Sequence, residues 1–241
     1  MEKSKLHILT EGCKEFGIDL TDKQILQFNQ YYELLIEWNK IMNLTGITDF
    51  DEVMLKHFVD STAISKAVKL ETKSTLIDVG TGAGFPGIPL KIIYPHLKVV
   101  LLDSLNKRIR FLDEVVDKLG LSDVETVHGR AEDIAKKEQY RENFDVVVSR
   151  AVANLASLSE YCVPFIRQGG YFVSYKSGTV DEEARNAKKA IYILGGEIKD
   201  VKKFCLPNSD MERSLVIIEK MRITPKKYPR KAGMPVKEPI H

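Results

Sequence analysis

The chain has 241 residues, a formal net charge of +2 and a hydrophobic content of 44%, which suits one large globular domain or a domain with an extension. No run approaches the roughly 20 apolar residues of a membrane span, the first 16 residues lack the apolar stretch of a signal peptide, and the three cysteines are too widely spaced for a disulfide framework or a zinc site. We therefore expect a cytoplasmic protein without a membrane or metal partner, and nothing in the pattern demands more than a monomer.

The first 70 residues predict a helical N-terminal extension. Asp22–Trp38 has the periodicity of an amphipathic helix, with Thr21 or Asp22 available as its cap. A second helix is expected over Asp51–Val68, after a polar and turn-rich segment. The apolar stripe of the first helix comprises Ile25, Phe28, Tyr32 and Leu35.

Strands and helices alternate from Thr75 onward, which predicts a parallel sheet with helices on both faces. The first five strands are expected at Thr75–Val79, Lys98–Leu102, Val124–His128, Phe144–Ser149 and Tyr171–Tyr175, and the helices near Pro86–Ile93, Leu105–Leu119, Leu155–Ile166 and Val180–Leu194. Two further strands, Glu197–Phe204 and Ser214–Lys220, are too closely connected for a crossover helix and should pair antiparallel. A mostly parallel seven-stranded sheet with an antiparallel last strand is the outline of the class I, Rossmann-like, S-adenosylmethionine-dependent methyltransferase fold, which we assign to residues 71–221.

The first strand of this domain runs into a glycine-rich loop, within the segment STLIDVGTGAGFPG from Ser74 to Gly87. Gly80, Gly82 and Gly84 permit positive φ and a close approach of the backbone to a ligand. Asp78 ends the strand, where a carboxylate disfavours a pyrophosphate and favours a cationic amino-acid ligand. S-adenosylmethionine carries a sulfonium and an ammonium group. The loop therefore favours this cofactor over NAD or ATP.

Polar groups also follow the next strands, at the edge of the sheet where open α/β folds bind ligands. Asp103 can accept hydrogen bonds from ribose hydroxyls, Ala131 and Glu132 lie where an adenine is expected, and Arg150 can hold a carboxylate or a phosphate and so position a reactant. Helix capping by the acids, a core position for Phe85, and an ion pair of Arg150 with Asp78 or Glu132 are alternatives. The predicted cofactor contacts are Asp78, Gly80, Gly82, Gly84, Phe85, Asp103, Ser104, Leu105, Ala131, Glu132 and Arg150.

The methyl acceptor is constrained by motifs that the sequence lacks. The segment SRAVANL after the fourth strand has no Asp/Asn-Pro-Pro-aromatic motif, which is typical of methylation at an exocyclic amine. Cys162 lies within a predicted helix and suits a buried small residue better than a nucleophile for cytosine C5. Guanine N7 carries a lone pair and no proton, so its methylation requires positioning rather than a general base. The pattern is consistent with an N7 acceptor, and we assign no catalytic acid or base.

The C-terminal segment, residues 222–241, concentrates positive charge. Seven basic residues and no acid lie from Lys220 to Lys237, and without these seven the chain has 29 basic and 34 acidic residues. The segment is either a solvated tail or a contact for a polyanion such as RNA. On the second hypothesis the predicted RNA contacts are Lys107, Arg108, Lys226, Lys227, Arg230 and Lys231.

Seven motifs follow one another along the chain: EWNKIMNLTGIT, KHFVDS, DVGTGAGFPGIPLKI, LLDSLNKRIRFL, HGRAED, SRAVANL and TPKKYPRKAGMPVKEPI. In this order they closely resemble the bacterial small-subunit ribosomal RNA methyltransferase family RsmG, also called GidB. The resemblance implies transfer of a methyl group from S-adenosylmethionine to N7 of one guanine in 16S rRNA of the small ribosomal subunit. It also implies cofactor contacts by Gly80, Phe85, Asp103, Ala131, Glu132 and Arg150. Two alternatives stay open: a class I methyltransferase acting on another RNA or a small molecule, and a non-catalytic RNA-binding protein of ribosome assembly.

Overall fold

A seven-stranded sheet forms the centre of the protein in the computed structural model, which describes residues 6–150 and 153–240. Residues 1–5 of the predicted extension, Ala151 and Val152 of the SRAVANL motif, and His241 lie outside the described residues. The strands are β1 Thr75–Val79, β2 Lys98–Asp103, β3 Val124–His128, β4 Phe144–Arg150, β5 Ile166–Ser177, β6 Gly196–Cys205 and β7 Glu212–Lys220.

The sheet has a parallel part and an antiparallel part, in the strand order β3-β2-β1-β4-β5-β7-β6. Strands β1 to β5 pair in parallel, and β7 lies antiparallel between β5 and β6. This arrangement confirms the predicted fold class. The chain builds outward from β1 to β2 and β3, and then returns to place β4 on the other side of β1. Such a reversal creates a crevice at the carboxyl ends of β1 and β4.

Strand β5 is longer than predicted. Its first residue, Ile166, pairs with Phe144, and the ladder resumes at Tyr171 after a register shift. Within this irregularity Gly169 has a φ of +77°, and a Cβ on Gly170 would lie 2.7 Å from a backbone oxygen of β4. The two glycines therefore form a bulge inside one strand, because Gly169 adopts a positive φ and a side chain at Gly170 would collide with the neighbouring strand.

Helices cover both faces of the sheet, and their predicted bounds agree with the structure within a few residues. The α-helices are α1 His7–Glu15, α2 Asp22–Asn39, α3 Phe50–Val53, α4 Asp60–Thr62, α5 Gly87–Ile93, α6 Asn106–Lys118, α7 Ala131–Ile134, α8 Leu155–Cys162, α9 Asp181–Ile193 and α10 Met234–Lys237. We did not predict α1, α7 or α10. Across the described ranges, none of the helices has the length and apolar character needed to cross a membrane.

Helix α2 packs on α5 and α6 through a face that differs from the predicted stripe. Its N-terminus is fixed by a capping box between Thr21 and Gln24. Phe28 and Tyr31 are fully buried, whereas Tyr32, which the stripe includes, is half-buried. Spacings of three and four residues both keep side chains on one helical face, so the pattern alone does not choose between the two tyrosines.

Residues 50–66 form a helical segment that a π-helix, Met54–Val59, interrupts after α3. We predicted a regular helix here, and π-helical irregularities are frequent at functional sites. Helices α1, α2 and this segment share one hydrophobic core with α5, α6 and one face of the sheet, while α8 and α9 cover the other face. The domain boundary at residue 70 stays a prediction, since the core is continuous across it.

Candidate functional site

A cavity of about 730 Å³ opens at the carboxyl ends of β1, β2, β3 and β4, where the strand order reverses. This volume lies within the range of small-molecule sites. Eight predicted cofactor contacts line it: Gly80, Gly82, Phe85, Asp103, Ser104, Ala131, Glu132 and Arg150. Lining residues that we did not predict include Leu44, Thr81, Arg130, Tyr161, Gly233 and Val236.

Asp103 connects the glycine loop with the loop that follows β2. Its Oδ2 accepts hydrogen bonds from the backbone N–H of Gly82 (2.9 Å) and the guanidinium of Arg108 (3.2 Å), and its Oδ1 accepts from the N–H of Leu105 (2.9 Å). The Asp103 side chain is only 2% exposed, so these bonds offset the cost of burying its charge. Three of the roughly four acceptor positions of the carboxylate are thereby in use.

Asp78 lies behind the glycine loop rather than in the cavity, which corrects our expectation that it meets the ligand. Its side chain is fully buried, and Oδ2 accepts from the hydroxyl of Thr81 (2.7 Å) and the N–H of Gly87 (2.8 Å). Its Oδ1 has no hydrogen-bond partner among the described residues. Burial raises the pKa of this carboxyl to about 7. Asp78 therefore stabilises the turn from β1 into α5 and does not contact a cationic ligand directly.

Gly84 and Leu105, also predicted as cofactor contacts, are not part of the cavity lining. Gly84 has a φ of +95°, and a Cβ there would lie 2.6 Å from the hydroxyl of Tyr31, which itself donates to the carbonyl of Ala83. Gly84 thus allows the glycine loop to rest directly on α2. Leu105 contributes its backbone N–H to Asp103, while the residue is 42% exposed.

Arg150 lines the cavity and is held by the helical segment 50–66. Its Nη1 donates to Oδ2 of Asp60 (3.1 Å) and to the carbonyl of Lys56 (3.2 Å), and its Nη2 donates to Nδ1 of His57 (3.3 Å). The guanidinium carbon lies 5.0 Å from the ring centroid of Phe85. The sequence suggests Asp78 or Glu132 as the ion-pair partner of Arg150. The observed partner is instead Asp60 of α4, which we did not predict.

Asp60 is shared between two arginines. Its Oδ2 pairs with Arg150, and its Oδ1 accepts from Nε of Arg213 on β7 (3.1 Å). Because one buried carboxylate faces two guanidinium groups, the cluster keeps a positive charge beside the cavity. Three of the five N–H donors of Arg150 are engaged, which leaves one on Nε and one on Nη2 without a partner among the described residues.

His57 links Arg150 to the loop between α2 and α3. Its ring stacks on Phe85 with 4.6 Å between centroids, and its Nε2 lies 2.8 Å from the hydroxyl of Thr45. Burial, together with the charge of Arg150, lowers the pKa of His57 to about 3. The imidazole is therefore neutral near pH 7, with Nδ1 accepting from Arg150 and Nε2 carrying the hydrogen.

The loop between α2 and α3 forms a rim of the cavity through Leu44. Oδ1 of Asn39 accepts from the backbone N–H of Leu44 (2.8 Å) and of Thr45 (3.0 Å). The hydroxyl of Thr45 in turn accepts from the N–H of Ile47 (3.1 Å). These side chains fix the loop by local bonds to the backbone, and His57 ties the loop to Arg150.

The C-terminal segment contributes a wall of the cavity that sequence reasoning missed. Gly233 and Val236 belong to the lining. The N–H of Gly233 donates to Oε1 of Glu132 (2.9 Å), and the carbonyl of Pro235 accepts from the hydroxyl of Ser157 (2.6 Å). The two contacts join residues that are 101 and 78 positions apart in the sequence, so no local sequence pattern predicts them.

The start of this segment packs against the domain, which contradicts the hypothesis of a solvated tail. Lys220 is 1% exposed, and its ammonium lies 3.0 Å from Oε1 of Glu142, while burial lowers its pKa to about 8. The guanidinium of Arg141 donates to the carbonyls of Thr224 (2.9 Å) and Tyr228 (3.0 Å). Lys220 therefore belongs to the core rather than to a positive surface.

The predicted RNA contacts divide into anchored and exposed residues. Arg230 is anchored, because its guanidinium pairs with the buried Glu160, which corrects its assignment as a free RNA contact. Arg108 is partly exposed and paired with Asp103. Lys107, Lys226, Lys227 and Lys231 are exposed. Among residues 6–150 and 153–240, no group of three or more His, Cys, Asp or Glu side chains is arranged to hold a metal ion.

The sequence matches a family model, GidB, described as rRNA small subunit methyltransferase G, over residues 24–216. The chain belongs to this family. The Ribosomal RNA small subunit methyltransferase G of Lachnoclostridium phytofermentans is 54% identical to it over 230 residues, which is 95% of each chain. The protein of the same name from Thermoanaerobacter sp. is 50% identical over 240 residues, which is 100% of each chain. The GidB resemblance is therefore confirmed over nearly the full length.

Solved structures similar to this GidB chain share its fold at low sequence identity. TYW2 of M. jannaschii in complex with AdoMet has a TM-score of 0.51 and 14% identity, and the match covers 62% of this chain and 70% of that one. A chain of the complex between the Haloferax volcanii Trm112 methyltransferase activator and a methyltransferase has a TM-score of 0.58 and 13% identity, with coverage of 78% and 97%. These neighbours support the class I methyltransferase fold.

Membership in the GidB family confirms the predicted class, an S-adenosylmethionine-dependent rRNA methyltransferase. The cavity suits this donor. It combines a glycine turn, a carboxylate bonded to that turn and an arginine with two unengaged N–H donors. These groups match the ribose and the amino-acid end of one ligand.

Proposed function

We propose that this protein transfers a methyl group from S-adenosylmethionine to N7 of a specific guanine in 16S rRNA, in the cytoplasm, with the rRNA or the small ribosomal subunit as substrate. The observation that carries the proposal is the GidB match over residues 24–216 on a chain whose cavity lies at the topological switch point of the sheet. S-adenosylmethionine supplies the methyl group on its sulfonium. The protein supplies the binding, the orientation and the exclusion of water.

We assign the ribose hydroxyls of the donor to Asp103. Because three acceptor positions of this carboxylate are already used, a ribose that binds both oxygens must displace one partner. Arg108 is the partner to leave, since its side chain is 32% exposed, whereas Gly82 and Leu105 donate from the backbone. A displaced Arg108 brings its charge to the cavity mouth beside the exposed Ser104, where an RNA phosphate can meet it.

The adenine end is assigned to Ala131 and Glu132. Oε1 of Glu132 is held by the N–H of Gly233, so Oε2 is the oxygen for the exocyclic amine. The methionine part lies against Gly80 and Gly82, whose φ values are +71° and +63°. A Cβ on Gly82 would meet nothing within 4 Å, so the space above this residue is open to a ligand.

The methionine carboxylate is assigned to Arg150. Its two unengaged N–H donors suit a carboxylate oxygen, and the positive charge that Asp60 leaves uncompensated suits an anion. Phe85 forms the adjoining wall. Its ring packs against Tyr31, His57 and Phe58, so Phe85 is at once a core residue and a cavity residue.

Methylation at N7 requires no proton transfer, and both carboxylates among the described lining residues are already assigned to the donor. Asp103 and Glu132 accept hydrogen bonds from the protein, and the remaining ionisable lining residues are three arginines and Tyr161. His57 has a low pKa, and its Nδ1 accepts from Arg150. Catalysis at N7 then consists of holding the base in line with the methyl group.

The RNA is assigned to exposed or partly exposed basic residues of two regions. Lys107 and Arg108 belong to α6, and Lys226, Lys227 and Lys231 belong to the C-terminal segment. Phosphate contacts by such residues give affinity and a salt dependence but no sequence specificity. We keep the division into residues 1–70, 71–221 and 222–241, with the last part forming a wall of the donor cavity as well as an RNA contact.

The test is methyl transfer from labelled S-adenosylmethionine to 16S rRNA and to small subunits from cells that lack this gene, followed by nucleoside digestion. We expect the label in 7-methylguanosine. Asp103→Ala should abolish it, whereas Asp113→Ala, which removes an exposed carboxylate of α6 bonded to Thr126, should not. Label in another nucleoside would contradict the N7 acceptor. Donor binding without any labelled rRNA would contradict the rRNA substrate.

A further inference from the structure

Glu160 on α8 is a buried carboxylate whose hydrogen bonds in the described structure all come from Arg230. Its side chain is 1% exposed. Oε1 accepts from the backbone N–H (2.7 Å) and from Nε (3.0 Å) of Arg230, and Oε2 accepts from Nη2 (2.7 Å). A buried carboxylate is costly without such partners. The pair therefore fixes both the side chain and the backbone of Arg230.

The backbone that Arg230 fixes leads directly into the cavity wall. Two residues separate it from Gly233, which lines the cavity and donates to Glu132. Ser157, which donates to the carbonyl of Pro235, lies three positions before Glu160 and so on the same face of α8. Helix α8 thus holds the C-terminal segment at two points, one on each side of Gly233.

Arg230 itself does not line the cavity, so its effect on a ligand is indirect, through the backbone of residues 231–236 that it holds. Gly233 is the connection that matters, because its N–H occupies Oε1 of Glu132 and leaves the other oxygen for the ligand. If the segment shifts, Glu132 loses this bond and its fixed orientation. The cavity also loses the wall formed by Gly233 and Val236.

We infer that Arg230 and Glu160 are positioning residues of the donor site, which hold the C-terminal segment so that Gly233 orients Glu132 toward the adenine end of S-adenosylmethionine. This inference rests on the proposed function, in which the cavity binds that donor. It gives the basic C-terminal segment two separate roles. Arg230, on the protein side, sets donor affinity, whereas Lys226, Lys227 and Lys231, on the solvent side, contact RNA.

The first test compares Arg230→Ala with Lys231→Ala, its exposed neighbour. Calorimetric titration of S-adenosylmethionine into the full chain should show a Kd at least tenfold higher for Arg230→Ala and an unchanged Kd for Lys231→Ala. In steady state, Arg230→Ala should raise KM for the donor while kcat at saturating donor and KM for 16S rRNA are kept. Glu160→Gln should likewise raise KM for the donor and leave kcat and KM for 16S rRNA unchanged, because it removes the charge that holds Arg230.

A second pair of variants keeps the test decisive if Arg230→Ala does not fold. Gly233 and Gly169 have φ values of +83° and +77°, and a Cβ at either would meet nothing within 4 Å. Alanine therefore meets a left-handed φ at both positions and introduces similar backbone strain, one in the cavity wall and one in the β5 bulge. We expect similar losses of thermal stability but a raised donor Kd for Gly233→Ala alone.

Three results would overturn the inference in distinguishable ways. Wild-type donor affinity in both Arg230→Ala and Gly233→Ala, with rRNA methylation intact in the wild type, would reject the positioning role and leave the proposed function standing. An unchanged donor Kd together with a reduced salt dependence of rRNA binding in Arg230→Ala would make Arg230 an RNA contact. A wild-type chain that binds rRNA but not S-adenosylmethionine would reject the proposed function and the inference together.

Discussion

Two arginine–carboxylate pairs border the same cavity and differ in what each arginine still offers. The carboxylates of Asp60 and Glu160 are both buried, with side chains 7% and 1% exposed. Arg150 lines the cavity and keeps its Nε free of partners among the described residues, whereas Arg230 lies outside the lining and directs its Nε and Nη2 at Glu160. The same chemistry thus builds a ligand-binding group in one place and an anchor in the other.

The number of partners explains the difference. Asp60 is shared with a second arginine, Arg213, so the cluster around Arg150 keeps a positive charge. In the described structure Glu160 pairs with Arg230 alone, so this pair has no net charge. A carboxylate ligand is attracted to the first cluster and gains nothing from the second. Both arginines should therefore affect donor binding, Arg150 by direct contact and Arg230 through the position of the C-terminal segment.

The largest effect is expected for Arg150→Ala. Two charged hydrogen bonds to the donor contribute about 3 kcal/mol, so kcat/KM should fall about 100-fold. Arg150→Lys should recover only part of this loss, because an ammonium lacks the planar fork of a guanidinium. The control is Arg167→Gln, which removes an arginine that pairs with Asp145 outside the cavity lining and should keep the donor Kd. Wild-type kcat/KM in Arg150→Ala would show that this arginine is structural only.

The next effect is a loss of stability for Asp60→Asn. Removing a buried carboxylate that faces two guanidinium groups should lower the free energy of unfolding by about 3 kcal/mol, as measured by urea denaturation. The matched control is Asp200→Asn. Its carboxylate pairs with Lys202 while 45% exposed, and such exposed pairs contribute little. Equal stability of the two variants would mean that Arg150 and Arg213 are hydrated rather than dependent on Asp60.

Sequence patterns locate one of the two pairs better than the other. Arg150 ends a predicted strand, and because parallel strand ends converge at one edge of a sheet, its place in the cavity follows from the alternation of strands and helices. The same logic places Asp103 and Glu132. The same logic wrongly placed Asp78 in the cavity. Both faces of a buried parallel strand are apolar, so the sequence does not show which way a side chain points.

The partners of both arginines escape sequence reasoning for a common reason. Arg150 and Asp60 are 90 positions apart, and Arg230 and Glu160 are 70 apart. Local periodicity carries no information about such contacts. We therefore treated the seven basic residues near the C-terminus as one candidate RNA contact. In the structure, however, Lys220 and Arg230 pair with acidic residues of the domain.

A smaller effect is expected on the exposed side of the C-terminal segment. Lys226 and Lys227 are adjacent and exposed, as are Lys188 and Lys189 of α9. Replacing the first pair by alanine should weaken rRNA binding and reduce the slope of log K against log salt by about 1.4 to 1.8, with the donor Kd unchanged. The same change at Lys188 and Lys189 should leave the slope as it is. Equal slopes in both double variants would remove the RNA role of the segment.

The smallest effect concerns His57, the neutral imidazole that accepts a hydrogen bond from Arg150. Because the folded state holds the pKa of His57 at about 3, below its ordinary value near 6.5, protonation favours unfolding. The stabilisation by His57 is therefore complete above about pH 6.5 and declines as the pH falls toward 3. While the protein is folded, the imidazole keeps accepting from Arg150, so His57 should contribute no inflection to kcat/KM near pH 6.5.

His57→Asn checks this account of the Arg150 cluster. Asparagine keeps an acceptor oxygen near the place of Nδ1 but does not titrate, so kcat/KM should fall only a few-fold and its pH profile should stay parallel to that of the wild type. The difference in unfolding free energy between the two proteins should vary with pH only below about 6.5. An inflection near pH 6.5 that the wild type shows and the variant lacks would mean that His57 becomes charged in the folded enzyme. It would then repel Arg150, and the cluster would be a pH-sensitive group rather than a fixed one.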